Sequence, residues 1–131
     1  MPKLNILLVD GLRAGRTIGT VVPATLPGHC ATVDVQAIVD EAKGYVHHDV
    51  RTGRLSVVST AGEDPIAGFK VRHQEIDREH LKYEYEFQDN ATIDETIMVA
   101  ADQTELEQVL SRWTDDFSKF YFGEGWMGLF W

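Results

Sequence analysis

The 131-residue chain carries 12 lysines and arginines against 21 aspartates and glutamates, a formal net charge of −9, with 44% apolar and 25% charged residues. That is the composition of one folded domain with its own core, and its acidity repels a phosphate backbone, so nucleic acid is not an expected partner. No apolar run approaches the ~20 residues of a membrane span, and the single cysteine, Cys30, excludes an internal disulfide framework and suits the cytoplasm.

In chain order, Leu4 to Val9 is an apolar run that reads as part of a first, buried strand from Lys3 to Asp10, closed by the turn signal Asp10-Gly11. Gly15 and Gly19 flank a short strand, Thr17 to Val22, and Pro23 and Pro27-Gly28 break the chain after it. Ala31 to Val39 is rich in β-branched residues and alternates; it reads as a strand, although Val35, Ile38, Val39 and Ala42 also have helical spacing.

Two hairpins follow. Tyr45 to Val50 and Leu55 to Thr60 flank Arg51-Thr52-Gly53-Arg54, and a tight Thr52-Gly53 loop predicts Val50 opposite Leu55 and His48 opposite Val57. The second hairpin joins Phe69–Ile76 to His80–Gln88, predicting Phe69 opposite Phe87, Val71 opposite Tyr85 and His73 opposite Tyr83, with Lys70 and Arg72 facing Glu86 and Glu84. Ile93 to Ala101 alternates as a further strand.

The period then changes. Asp102 with Glu105 is a helix-start pair, and Leu106, Val109, Leu110, Trp113, Phe117, Phe120 and Tyr121 follow helical spacing. One long amphipathic helix over about 103–121 is expected, stopping before Gly123. The fold class read from this order is α+β: an antiparallel sheet or partly closed barrel of about six to eight strands packed by one long C-terminal helix, as a single domain over 1–131. The last nine residues, Gly123 to Trp131, hold three glycines and five large apolar side chains. That segment either folds back onto the core or serves as a hook for a partner, anchored by Trp126, Met127, Phe130 and Trp131.

No Walker loop, GxGxxG, HExxH, CxxC or GxSxG pattern occurs. Gly11 to Gly19 contains Arg13 and Arg16 and reads either as a weak anion cradle or as a plain hairpin loop. His47 and His48 point to opposite faces of a strand; His47 shares a face with Asp49, and with His73 these are the weak metal or catalytic candidates. His29 beside Cys30 lacks the geometry of an activated thiol.

Three classes of function remain. The leading one is a non-catalytic acidic protein-binding module, such as an inhibitor, an immunity-type protein, an adaptor or a small assembly or virion component. It would act on another protein with a basic surface, or on itself, through Trp126, Met127, Phe130 and Trp131 with Asp115 and Asp116 as a rim, and needs no cofactor. The second is a small apolar-ligand barrel lined by Tyr83, Tyr85, Phe87 and Trp113. The third is an enzyme or metal site on His47, Asp49 and His73. The layout, strands followed by a Trp-bearing helix, resembles pleckstrin-homology-like barrels over most of the chain. The resemblance implies that Arg13 and Arg16 lie in a phosphoinositide-binding loop, a role that the overall acidity opposes, and no membrane partner is expected.

Overall fold

The computed structural model describes residues 3–77 and 92–123. Among them the first element is a helix, α1 (Ile6–Arg13), where a strand is predicted. A continuous apolar run does not by itself distinguish a strand from a helix. Asn5 decides it: the Asn5 side chain accepts from the Leu7 amide at 2.8 Å and caps the first turn. Leu4, Leu8 and Leu12 then fall on one face and are buried. The stretch read as an anion cradle is the end of this helix. Gly15 takes φ 96°, and the Gly15 and Arg16 amides donate back to the carbonyls of Leu12 and Gly11 at 3.0 and 2.9 Å. That is the paired hydrogen bonding of a glycine-closed helix end.

The main sheet contains β1 (Ile18–Val22), β2 (His29–Val39), β5 (Ile66–Asp77), β6 (Thr92–Ala100) and β7 (Tyr121–Phe122), in the spatial order β6-β5-β2-β1-β7. Every pairing is antiparallel. The strand reading of residues 31–39 therefore holds, and so do the strands expected near 17–22 and 93–101. The α+β class and antiparallel pairing agree with the expectation, but the sheet is open; no barrel closes among the described residues. Arg13 ends α1 and pairs with Asp64, and Arg16 lies over the Phe122 ring at 3.8 Å, so neither occupies the loop that the barrel resemblance implied.

Both edges of β5 are taken over its central residues. Phe69, Val71 and His73 face Ala37, Val35 and Val33 on β2, and Ala100, Met98 and Thr96 on β6. The places predicted for Phe87, Tyr85 and Tyr83 are thus held by other strands, and residues 80–88 lie outside the described residues. Two helical segments cover one face of the sheet. Ile18, Val33, Val35, Phe69 and Val71 meet Leu8 and Leu12 of α1, and Leu106 and Leu110 of α2 (Gln103–Leu110), in one core cluster.

α2 starts as its sequence says: the Asp102 carboxylate accepts from the Glu105 amide at 2.8 Å. It stops after eight residues, not nineteen. The Thr114 hydroxyl accepts from the Asp116 amide, and the Asp116 carboxylate accepts from the Ser118 amide at 3.0 Å, offering the backbone local partners that compete with a helix. A 3-10 turn (Phe117–Lys119) follows, then β7. Phe117 and Phe120 stay buried but Tyr121 is exposed, so the apolar spacing reported burial for two of its last three residues and gave the helix length wrongly.

The remaining pair, β3 (Gly44–His48) and β4 (Leu55–Ser59), forms a separate two-stranded sheet that is the arm of the molecule. His48 faces Leu55 and Val46 faces Val57, two residues wider at the loop than predicted. The Asp49 amide donates to the Arg54 carbonyl, the Gly53 amide to the Asp49 carbonyl, and the Asp49 carboxylate accepts from the Arg51 amide. Gly53 at φ 71° closes this loop. A shift of two keeps every side chain on its expected face, because strand side chains alternate with period two.

Gly44 sits at the base of the arm, where a Cβ would collide with the Val58 carbonyl and stand 2.7 Å from Pro65 Cβ. Gly44→Ala is expected to loosen the arm from the body, read as faster amide exchange in β3 and β4 with β2 and β5 unchanged.

Candidate binding surface

The arm grows from residues 40–65, between the end of β2 and the start of β5. Asp40 builds its base: the Asp40 amide donates to the Pro65 carbonyl, and the Asp40 carbonyl accepts from Lys43 and Gly44. Lys43 and Glu63 add an ion pair at 3.5 Å. The arm lies on the helix-covered side of the sheet, since a Cβ on Gly15 would stand 2.9 Å from Val46 Cγ1.

What the arm presents is unusual in so acidic a chain. Tyr45 and Val46 are exposed, and Val50 at the tip is 90% exposed. His47, His48, Arg51 and Arg54 surround them, with Asp49 the one carboxylate between Gly44 and Gly62. The Arg51 amide, donating to Asp49, holds that carboxyl below its ordinary range. Asp49 is therefore committed to closing the loop. Exposed apolar and aromatic side chains mixed with arginine are the composition of a contact surface.

The second chemically distinctive place is at the far end of the sheet. Glu75, on the core face of β5, is buried. Its carboxylate accepts from the Thr25 amide at 2.8 Å, from the Thr25 hydroxyl at 2.7 Å, and from His29 Nδ1 at 2.8 Å. The His29 hydrogen bond is the largest cause that pulls the Glu75 pKa down to about 2, with the Thr25 hydrogen bonds next. Because an ionised carboxylate only accepts, Nδ1 carries the proton of this hydrogen bond. Thr25, His29 and Glu75 thus clasp the β1–β2 connection to β5.

Next to this clasp, His73 stacks on Trp113 with ring centroids 4.9 Å apart and planes at 8°. Burial under that ring lowers the His73 pKa, against the opposing pull of Glu75 and Asp94. Arg112 sits over the other part of this group, 5.7 Å from the Trp113 ring, and contacts Met98 Sδ. On the opposite face of the sheet Asp34 is buried beside Arg72, with Nε donating at 3.0 Å, and desolvation raises its pKa in spite of that partner.

The predicted site residues scatter over these places. His47 and Asp49 belong to the arm, while His73 lies in the main sheet beneath Trp113; the three do not converge. Among the described residues no group of three His, Cys, Asp or Glu side chains is placed to hold a metal ion. Trp113, expected to line a ligand cavity, is the stacking partner of His73. Asp115 is exposed, and Asp116 caps the 3-10 turn. Tyr83, Tyr85, Phe87, Trp126, Met127, Phe130 and Trp131 lie outside the described residues. The residues that sequence reasoning missed are Thr25, His29 and Glu75. Glu75 was invisible because its partners lie 46 and 50 positions away. Comparison with protein families, curated proteins and solved structures finds no match for the chain.

Proposed function

We propose that the chain is a non-catalytic protein-binding module, of the inhibitor, adaptor or assembly-component kind, that meets its partner through the arm. The observation that carries this reading is the tip of the arm, with Val50 90% exposed beside Tyr45, Val46, Arg51 and Arg54. Exposing such residues together costs solubility unless something covers them. The net charge of −9 draws a basic partner toward the molecule as a whole, whereas the arm, with Arg51 and Arg54 against Asp49 alone, contributes apolar and aromatic contact and not charge complementarity to such a partner. The aromatic C-terminal segment, Trp126, Met127, Phe130 and Trp131 with Asp115 and Asp116 near its start, is a second contact in the same reading.

Affinity capture from the source cells tests this with three baits: the full chain, the Tyr45→Ala/Val50→Asp variant, and a chain cut after Phe122. A protein held by the full chain and lost from the arm variant, at unchanged melting temperature, is the expected result. Equal recovery on the full chain and the arm variant overturns the role of the arm, and equal recovery on the cut chain overturns that of the tail.

A further inference from the structure

The two edges of the main sheet are built differently. At one edge β7 is two residues long, too short to template another strand. At the other, β6 runs for nine residues without proline, its two charges, Asp94 and Glu95, both lying in its first half, and among the described residues it pairs only with β5. A long edge strand that no other described residue pairs with is the feature that folded proteins ordinarily blunt with charge, proline or a covering segment. Its outward face is apolar at the centre: Ile97 is 50% and Val99 59% exposed. These two stand on the side of the sheet opposite the helices and the arm, so the arm of a chain does not reach its own β6 face.

The charges around this strip complement one another when the strip is turned by half a revolution. Glu95 lies at the start of the strip, where one carboxylate oxygen accepts from Gln74 Nε2 at 3.1 Å without neutralising its charge, and Lys70 lies beside Val99 on the adjoining strand. Arg72, beside Ile97, is already held by Asp34, whereas Lys70 makes no ion pair among the described residues. An antiparallel pairing of two β6 strands centred on Ile97 puts Ile97 against Ile97 of the second copy. Glu95 then faces Val99 of the second copy, and the neighbour of that Val99 in its own sheet is Lys70. The symmetry makes the contact twice, with Glu95 of each chain reaching Lys70 of the other.

We propose that β6 is a homodimer edge, joining two chains about a twofold axis into one continuous ten-stranded antiparallel sheet. Such isologous pairing is the commonest form of self-association, and the main-chain hydrogen bonds of β6 supply its register. The occupant is a second copy, and the surface is separate from the arm, so the arms of both chains stay free.

Light scattering coupled to size exclusion, from about 10 µM to about 1 mM protein, reads the mass. The full chain is expected to shift toward twice 14.8 kDa as concentration rises. Ile97→Lys, which sets two cations face to face at the axis, is expected to remain monomeric, with a melting curve matching that of the full chain at concentrations where the full chain is itself monomeric. Lys70→Glu and Glu95→Lys alone are each expected to weaken the dimer about tenfold, and the double reversal to restore it. A full chain that stays monomeric throughout overturns the proposal, as does an Ile97→Lys chain that dimerises like the original. Neither result touches the arm, whose partner is read in a different experiment on different residues.

Discussion

Glu75→Gln is expected to lower stability by about 2 kcal/mol at neutral pH, the usual scale for hydrogen bonds to a charged group. The amide nitrogen of glutamine donates where the carboxylate accepted, so one of His29 Nδ1 and the Thr25 groups loses its partner. The pH dependence carries the clearer signature. In the native chain Glu75 titrates at about 2, below the ordinary 4.5 of an unconstrained glutamate. A carboxylate with a depressed native pKa stabilises the fold fully above its unfolded value. That stabilisation fades as the pH falls from about 4.5 through about 2, because the unfolded chain takes up the proton first. Denaturant melts of the two chains should therefore differ most above pH 5 and converge toward pH 2. A constant difference over that range would mean that the clasp does not depend on the charge. Asp34 contributes with the opposite sign, since burial raises its pKa, but it is common to both chains and cancels in the difference.

The other large effect is expected at Leu110, which is fully buried at the end of α2. It packs in the cluster that joins Leu106, Phe117 and Phe120 to the sheet. Leu110→Ala is expected to cost about 3 kcal/mol, from lost apolar transfer together with the cavity left behind. For a chain of this size that lowers the melting temperature by about 10 °C. Ile97→Ala on the exposed strip should change it little, since half of that side chain already meets water. Both melts are made at low concentration, where the chain is monomeric, and equal losses at the two positions there would mean that the Leu110 site collapses around the missing atoms.

The sequence was legible wherever one residue's neighbours in the chain decide its conformation. Asp102 and Glu105 started the helix where they should, and the alternation of β2 and β5 gave the right faces, whereas in β6 the apolar alternation of Ile97 and Val99 marks the exposed face and Met98 and Ala100 turn to the core. It misled where two local signals compete. Leu4 to Val9 has the composition of a buried strand, and only the Asn5 cap turns it into a helix. Phe117 and Phe120 continue the helical spacing of α2 but reach the core from a 3-10 turn, after Thr114 and Asp116 have redirected the backbone. Register was harder still. The hairpin predicted from β5 is self-consistent in charge and size, yet β6 takes that edge, a choice made by packing over the whole sheet. The clasp of Thr25, His29 and Glu75 had no signal at all, since each residue alone is an ordinary loop or strand residue.

The placement of the arm also bears on how quickly the chain folds. β2 and β5 form the longest pairing of the sheet, and residues 40–65 separate them. Bringing Val39 to Ile66 across a slack chain of that length is an entropic obstacle, relieved by roughly 0.6 kcal/mol for each halving of the loop. The arm is a local hairpin, and hairpins close in about 1–10 µs, before long-range strands meet. Once β3 and β4 have zipped, Asp40 and Pro65 are already neighbours, and the gap left for β2 and β5 to cross is a few residues. The topology thus makes the arm the expected shortcut between the two central strands: an early hairpin over residues 40–65 would leave β2 and β5 only a short gap to close.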